Sequence, residues 1–518
     1  MKRITNLLLV ALAVLGLASC QKGANSDLPN GGENEGNTYV GLNILFPGAN
    51  LGGTKAAPED YNKITGEWKG RDVIKQINVY LVNGNDVDAT SFTAKSFFGI
   101  DNNGILSPKM AVKAKSGDNV KAYVVINDVK GKITGQLNGV SGTEFDAKFK
   151  AVVKVANLDD LSSYADGKEI IVMTNSKDPE AKAIVADVTE EQAKNGVANR
   201  IDVEVLRLTS RAIVTVKEGY NKEVTVKNKL VNASTGLSED VETAKVTISE
   251  ISYATEGGAL QVNPIQAADF KAAADVYGFA PEAGKTWDEV KAAADGIFTY
   301  NAALKVIPTT SYIATNNAEG LKPALEGEKF AMSLLPVTHE DGKYRKGNTP
   351  FFTIAAKFKA ENLQPSVNIG GVEYKSEDLS SLAEGEPVYL GVKTGFFYST
   401  RQKAESMDPT NDETGVLAAD QIKQEVKEFK NGLMYYNVWI NPDQPYSGTE
   451  KITKSPVYRN QVYNAHITGF KEIGMTNTYD KPFKPDDPLE SDKTYLSVQL
   501  KVLPYTIHSY TVDLGNRY

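Results

Sequence analysis

Rows in which apolar and polar residues alternate recur along the whole chain and limit the folds that it can adopt. Two of these rows lie near the two ends: Val40, Leu42, Ile44 and Phe46, and Leu496, Val498, Leu500 and Val502. Successive side chains of a strand point to opposite faces of a sheet, so apolar residues two apart predict a strand with one buried face. Short strands of this kind, separated by turn residues, predict an all-β protein made of sandwiches rather than a parallel α/β sheet.

Other parts of the chain predict further strands and a few helices. Apolar runs that end at turn residues predict strands at 73–82, 122–126, 169–173, 212–216, 245–249, 351–358, 388–392, 434–440 and 463–470. Helical periodicity predicts small helical insertions at 145–156 and at 267–293, the second an Ala-rich pair on a domain surface. A chain of 518 residues is too long for one small core, and we expect a domain boundary near Val203.

The first 20 residues have the organisation of an export signal. Lys2 and Arg3 precede the apolar run 7–17, which is too short to span a bilayer, and small residues precede Cys20, the only cysteine of the chain. Residues 17–20, Leu-Ala-Ser-Cys, resemble a lipobox, in which the last thiol receives a diacylglycerol before the signal is removed. A plain secretory signal with an incidental cysteine is the alternative.

Composition narrows the class of partner. The net charge of −8, the pI near 5.3 and the lack of long runs of one sign argue against nucleic acid. No second apolar stretch approaches the length of a membrane span, so we expect membrane attachment through lipid alone. Residues 21–37 are rich in Gly, Asn and acidic residues and predict a flexible tether.

A search for catalytic or metal-binding patterns returns none. The three histidines, His339, His466 and His508, are far apart and form no H-E-x-x-H pattern, and neither a G-x-S-x-G elbow nor a phosphate loop is present. The acidic loop 407–415 lacks the spacing of a dedicated calcium loop and is interpreted as a solvated turn. We therefore predict no catalytic residue, metal site or cofactor.

The first alternating row is followed by a Gly- and Pro-rich loop that contains Lys55 and Ala56. A protease cut there would release the row and leave an open sheet edge, which a strand of another chain could fill. Four buried apolar side chains would contribute roughly 6 to 12 kcal/mol before ordering costs. Such a head-to-tail contact does not close and produces a filament. The alternative is that both rows are ordinary terminal strands of their own domains.

The C-terminal tail contains two strand-like pieces, separated by Pro504. The first contains the row from Leu496 to Val502, and the apolar residues of the second are Tyr505, Ile507, Tyr510 and Val512. The Pro-rich stretch 479–488 is predicted to be a stiff spacer that carries the tail away from its domain. The pattern leaves open which piece would be inserted into another chain.

Several segments, in order from end to end, carry a family resemblance. They are residues 66–80, 120–128, 145–150, 334–339 with 344–349, 455–460 and 502–514, of which the last is the most specific. In these segments the chain resembles the type V pilins, or fimbrillins, of the Bacteroidales, and within them the major subunit of the short, or minor, fimbriae. The resemblance covers nearly the whole chain.

The resemblance implies a fold, a domain organisation and a mechanism. It implies two transthyretin-like β-sandwich domains, at 56–203 and 204–490, with the helical insertion near 267–293 in the second. Residues 1–20 would be the lipoprotein signal, 21–55 a propeptide with the tether and the removable strand, and 491–518 the donor-strand segment. Trimming after the first strand would then open a groove that the C-terminal segment of another subunit fills.

The same resemblance implies a location and a set of partners. The precursor would be anchored in the outer membrane by a lipid on Cys20, and the mature subunit would lie in a fimbrium at the cell surface. Its partners would be other copies of itself, anchor and tip subunits, a maturation protease, and receptors on host cells or other bacteria. Two alternatives stay open: a tip or anchor lipoprotein of the same fold that never polymerises, and a glycan-binding or hydrolytic lipoprotein with paired carboxylates.

We predict that the maturation cut falls between Lys55 and Ala56. Related pilins are typically cut after arginine, whereas the nearest arginine here, Arg71, begins the next predicted strand. The Gly, Ala and Pro residues around Lys55 make an accessible backbone. N-terminal sequencing of shed fimbriae should therefore begin at Ala56, and a sequence that begins at Asp72 would assign the cut to Arg71 instead.

Overall fold

The structure is a computed structural model that describes most of the chain. Described are residues 36–45, 74–93, 105–106, 109–165, 168–231, 235–265, 271–314, 332–440, 454–479 and 483–489, together with the backbone of 496–503 and 507–514. Strands account for 44% and helices for 12% of it, which confirms the predicted all-β class. The division into domains stays a prediction.

The first twelve strands lie before residue 208. They are β1 (Thr38–Leu45), β2 (Gln76–Asn83), β3 (Asp86–Thr93), β4 (Ile105–Leu106), β5 (Val112–Ala114), β6 (Gly117–Ile126), β7 (Val153–Lys154), β8 (Ser162–Ala165), β9 (Lys168–Ile171), β10 (Met173–Asn175), β11 (Lys182–Ile184) and β12 (Arg200–Arg207). Nine of them form one sheet in the order β3-β2-β6-β10-β12-β1-β4, with β11 on β6 and β5 on β1.

The remaining strands follow from residue 210 onward. They are β13 (Ser210–Asn221), β14 (Glu223–Val231), β15 (Ser238–Glu256), β16 (Gly258–Ala259), β17 (Gln261–Val262), β18 (Phe298–Thr299), β19 (Lys305–Val306), β20 (Met332–Leu334), β21 (Phe351–Asn362), β22 (Ser366–Ile369), β23 (Val372–Lys375), β24 (Val388–Gly391), β25 (Phe397–Tyr398), β26 (Val426–Phe429), β27 (Leu433–Trp439), β28 (Val462–Phe470), β29 (Leu496–Leu503) and β30 (Ile507–Leu514). Two five-stranded sheets dominate, ordered β20-β13-β28-β30-β29 and β14-β15-β21-β27 with β19 on β15.

These two five-stranded sheets face each other across a shared core. Buried residues of β13 and β28, such as Val214 and Ala465, belong to the same apolar cluster as Ile251 of β15 and Ile354 of β21. Two sheets that pack on one shared core have the arrangement of a sandwich.

The nine-stranded sheet is buried on both faces. Along β2, Ile77, Val79 and Leu81 face one apolar cluster, whereas Tyr80 and Val82 face another. The second face is covered by the helix Gly142–Phe149, whose Phe145 and Phe149 pack on Tyr80 and Tyr123. Two-sided burial explains why residues 79–82, Val-Tyr-Leu-Val, are continuously apolar rather than alternating.

The helices are short and differ from the predicted bounds. They are α1 (Thr134–Leu137), α2 (Gly142–Phe149), α3 (Glu190–Lys194), α4 (Ala274–Gly278), α5 (Trp287–Ala293) and α6 (Arg401–Ser406). The helix predicted at 145–156 is wrong in its second half, because α2 ends at Phe149 and β7 follows it and pairs with β17. The pair predicted at 267–293 shrinks to α4 and α5, since Pro281 and Gly284, at φ +78°, lie between them.

Arg459 connects the sheet that contains β28 to the nine-stranded sheet. The residue is 1% exposed, and its guanidinium donates hydrogen bonds of 2.8 Å to the carbonyl of Pro264, and of 2.9 and 3.0 Å to the carbonyls of Asn175 and Ser176. Burial lowers the pKa of this guanidinium to about 10, so the group stays charged at neutral pH. A buried cation on carbonyls at the end of β10 fixes β28 and its sheet against the nine-stranded sheet.

Replacing Arg459 should destabilise the protein strongly. Arg459→Met removes the donors while their carbonyl acceptors stay buried, which costs about 1 to 3 kcal/mol for each unsatisfied group. We expect the free energy of unfolding in urea to fall by about 3 kcal/mol or more. The control is Lys177→Ala, which removes an exposed pair with Glu180 and should change it by about 0.5 kcal/mol or less. Equal effects of the two substitutions would contradict this role of Arg459.

Candidate strand-exchange site

Strand β1 lies in the interior of the nine-stranded sheet although it comes first along the chain. It pairs in parallel with β12, from Gly41 opposite Arg200 to Leu45 opposite Glu204. On its other side it pairs antiparallel with β5 over residues 38–40 and with β4 over residues 44–45. Removal of β1 would therefore leave unpaired backbone groups along β12 and along β4 and β5.

The apolar row of β1 occupies a closed groove. Val40 and Ile44 are 0% exposed and Leu42 is 5% exposed, as the alternation predicts. Their cluster also contains inward residues of β2, β6 and β12, among them Val79, Leu81, Ala122, Val124, Ile201, Val203 and Val205. Burial of the three β1 side chains contributes roughly 5 to 9 kcal/mol at about 1.5 to 3 kcal/mol each. Phe46 lies outside the described residues.

Asn199 holds the beginning of β1 through a buried amide. Its Nδ2 donates to the hydroxyl of Thr38 at 2.9 Å, to the carbonyl of Tyr39 at 3.1 Å and to the carbonyl of Val185 at 2.8 Å. Thr38 in turn donates to the Val185 carbonyl at 2.8 Å and accepts from the Val188 N–H at 3.2 Å. Loss of β1 would remove two of the three acceptors of this amide.

Asn43 is the second polar contact of β1. Its Nδ2 donates to a carboxylate oxygen of Asp202 at 2.7 Å, and its carbonyl oxygen accepts from the guanidinium of Arg200. Both partners lie on β12, on the same stretch that pairs with β1. These side-chain bonds fix the register of β1 against β12, because a shift by one residue would turn Asn43 into the apolar groove.

Gly41 permits a close approach between β1 and helix α3. A Cβ atom at Gly41 would lie 2.2 Å from the backbone oxygen of Ala193, which is 0% exposed. The helix is well defined by a capping box, in which Thr189 and Gln192 bond reciprocally. Tyr39 packs on the same small cluster as Ala193. Helix α3 therefore covers the outer face of β1, and glycine is the residue that lets it do so.

These polar and steric contacts of β1 are absent from the sequence predictions. The predicted row named only the apolar residues, and Thr38, Gly41, Asn43 and helix α3 were missed. A signal for α3 exists, because Thr-Glu-Glu-Gln at 189–192 has the pattern of a capping box. The partner of that helix could not be found in the same way, since no local pattern connects residue 193 to residue 41.

The C-terminal hairpin lies on a different sheet from β1. Strand β30 pairs in parallel with β28, from Val462 opposite Ile507 to Phe470 opposite Leu514, and β29 pairs antiparallel with β30. The predicted donor residues Leu496, Val498, Leu500 and Val502 lie on β29, and Ile507, Tyr510 and Val512 lie on β30. Tyr505 falls between them, outside the described residues. Within one chain the two terminal rows are thus not neighbours.

The spacer before the tail, predicted at 479–488, is packed against its domain, so the prediction that it carries the tail away is wrong for residues 483–488. The ring of Phe483 lies 4.1 Å from Lys346 Nζ and 5.9 Å from the ring of Trp439, and its carbonyl accepts a 3.0 Å bond from Trp287. Leu489 is 2% exposed. Burial lowers the pKa of Lys346 to about 8. These contacts hold residues 483–489 against the core, so the C-terminal tail begins at a segment whose position is fixed.

Tyr479 extends the same attachment toward the sandwich. Its hydroxyl donates to a carboxylate oxygen of Glu256 at 2.9 Å and accepts from the Asn301 N–H at 3.1 Å, and Lys291 Nζ lies 4.2 Å from its ring centre. Burial raises the pKa of Glu256 to about 7, against the opposing effect of its hydrogen bonds. The site is a structural contact between the spacer and β15.

The remaining polar features show no catalytic arrangement among the described residues. His339 forms hydrogen bonds to the carbonyls of Tyr277 and Asn348, whereas His466 forms one to Thr215, so the two histidines are buried in different places. Burial lowers the pKa of His466 to about 4. Within the described ranges no group of three or more His, Cys, Asp or Glu residues is arranged to hold a metal ion. None of the helices described is long and apolar enough to cross a membrane.

The predicted processing residues lie outside the described part of the chain. Cys20, Lys55 and Ala56 are not among the described residues, and their roles stay predictions. The structure does describe β1, the strand that a cut at Lys55 would separate from the rest.

Comparison with known proteins points to one family. Residues 427–511 match the model of "Major fimbrial subunit protein type IV, Fimbrillin, C-terminal". Over 97% of its length the chain is 26% identical to a minor fimbrium subunit Mfa1 of Porphyromonas gingivalis, of which it covers 98%, and 25% identical to a second protein of that name. Among solved structures it is similar to the fimbrilin FimA of that species, at 12% identity, TM-score 0.36 and coverage of 93% and 99% of the two chains.

Substitution of Gly41 should loosen β1. Gly41→Ala places a methyl group against the Ala193 backbone, so β1 or α3 must shift, and we expect the uncut protein to unfold at a temperature lower by several degrees. The matched control is Gly135→Ala in α1, where a Cβ atom meets nothing within 4 Å and helix propensity favours alanine. An unchanged melting temperature for Gly41→Ala would contradict the tight contact with α3.

Proposed function

We propose, since the chain belongs to the fimbrillin family of the Bacteroidales, that it is the major, shaft-forming subunit of its fimbrium. The protein is a fimbrial subunit, and its place is a fimbrium at the cell surface. Its two curated relatives are named as minor fimbrium subunits. The finer role is a proposal that rests on how β1 is built into the sheet.

Maturation begins with export as a lipoprotein. The signal at 1–20 directs the chain outward, and a lipid on Cys20 anchors the precursor in the outer membrane through the tether 21–37. A protease then cuts after Lys55. Because Cys20 and β1 lie on the same side of this cut, one cleavage separates both the anchor and β1 from the body of the protein.

Strand exchange is supported by the position of β1 in its sheet. Once cut, β1 is held only by noncovalent contacts, although its neighbours β12, β4 and β5 all belong to the body of the protein. Its departure leaves an apolar groove flanked by unpaired backbone on both sides, which is a site for an added strand. The single observation that carries the proposal is this interior position of a strand that one cut can release.

The strand that fills the groove comes from the C-terminal segment of another subunit. β29 and β30 lie at the end of their sheet, beyond β28, and follow the fastened spacer 483–489. Insertion into the groove of a neighbour joins unlike surfaces of two copies, so the contact repeats without closing and builds a shaft. Anchor and tip subunits then end the filament, and loops of the assembled subunits contact receptors on host cells or other bacteria.

Trypsin treatment of the precursor that lacks residues 1–20 tests this function. We expect filaments in electron micrographs after cleavage of the intact body, and none from a chain that ends at Glu490. Trypsin can also cut after Lys63, Lys69 and Arg71, so a chain with all four of these sites, Lys55 included, replaced by Gln should stay monomeric. The matched control, which keeps Lys55 and replaces only the other three sites, should polymerise like the unchanged chain. A cleaved protein that remains monomeric with its tail intact would contradict a shaft role and favour a tip or anchor subunit.

A further inference from the structure

We infer that residues 494–500 of a second copy replace β1 position by position, in the same direction along the groove. The inference rests on the proposed strand exchange and adds its register. Residues 38–44 read Thr-Tyr-Val-Gly-Leu-Asn-Ile, and residues 494–500 read Thr-Tyr-Leu-Ser-Val-Gln-Leu. The first two residues are identical, the apolar positions stay apolar, Asn becomes Gln, and Gly becomes Ser.

The polar residues of 494–500 correspond to the positions of β1 whose side chains form hydrogen bonds in the groove. Thr38 supplies the buried hydroxyl that Asn199 donates to, and Thr494 carries the same hydroxyl. Asn43 bonds to Arg200 and Asp202 through an amide, and Gln499 carries the same group. An apolar residue at the first position would leave the Asn199 amide without this buried hydroxyl, so the match has an energetic reason.

The apolar matches favour the same piece of the tail. Leu496, Val498 and Leu500 correspond to Val40, Leu42 and Ile44. If the second piece entered with Thr506 in place of Thr38, His508 would take the position of Val40, which is 0% exposed and surrounded by apolar residues. Burial of an imidazole there is costly without a hydrogen-bond partner. The groove therefore selects residues 494–500 over 506–512.

The residue that would replace Gly41 fits the groove less well, so β1 binds there more favourably than residues 494–500. Ser497 corresponds to Gly41, where a Cβ atom would lie 2.2 Å from the Ala193 oxygen. The tail from 491 to 514 contains no glycine, so α3 must move outward to admit it. The uncut chain thus keeps its own strand, which fits closely, and exchange needs the cleavage that frees β1.

Engineered disulfides test the register, because the chain from residue 21 onward contains no cysteine. Asn43→Cys with Asp202→Cys in the uncut precursor is the positive control, since the two native side chains are bonded at 2.7 Å. After cleavage and mild oxidation, Gln499→Cys with Asp202→Cys should give a ladder of covalent multimers that reductant abolishes. The controls Lys501→Cys, two residues out of register, and Thr511→Cys, on the second piece, are each combined with Asp202→Cys and should give none.

The outcomes separate this register from strand exchange itself. Filaments that ladder through Thr511→Cys but not through Gln499→Cys would overturn the register and leave the proposed function intact, whereas a cleaved wild-type chain that forms no filaments would overturn the function. Hydrogen exchange on unmodified filaments provides an independent measurement. Because β29 lies at the end of its sheet and pairs with β30 in the free chain, those amides of 494–500 that do not bond to β30 should gain protection on assembly. A gain confined to 506–512 would overturn the register.

Ser497→Gly tests the contact with α3 separately. By removing the side chain that α3 must avoid, it should raise the temperature at which filaments dissociate in detergent by several degrees. The control Ser509→Gly, on β30, should not raise it. Filaments of Ser497→Gly that dissociate at the same temperature as wild type would overturn the role of α3.

Discussion

The parallel pairing of β1 with β12 is the interaction on which the functional account depends. It places a strand from the N-terminal end of the chain inside a sheet, with β4 and β5 completing the other side. An edge strand could be lost at small cost, but an interior strand leaves two sets of unpaired backbone groups and an empty apolar groove. Binding of another strand in place of β1 would therefore lower the free energy of the body of the protein.

The contacts that hold β1 also explain why the uncut chain would keep its own strand. The apolar row and the hydroxyl bonded to Asn199 are both matched by residues 494–500, whereas the close fit of Gly41 under α3 favours β1 over that replacement. Covalent attachment adds a high effective concentration, which no second molecule matches. The proposed cleavage after Lys55 would remove that advantage together with the proposed lipid anchor, so release and activation would be one step.

Many of the strands could be predicted from the sequence, because apolar residues two apart indicate the buried face of a strand. This pattern predicted β1, whereas apolar runs that end at turn residues predicted β6, β21 and β28. Burial of Val40 and Ile44 confirmed the inward face of β1. The pattern carries no information on partners far away in sequence. It could not show that β12 lies beside β1, that Gly41 touches α3, or that Phe483 fastens a Pro-rich segment that has the composition of a free spacer.

The most direct test is a cryo-electron microscopy map of the filament at a resolution that traces the main chain. The strand between β12 and β4 should connect to the C-terminal tail of the neighbouring subunit, and density for residues 38–45 should be absent. A map in which β1 of the same chain still lies beside β12 would contradict strand exchange as the basis of assembly.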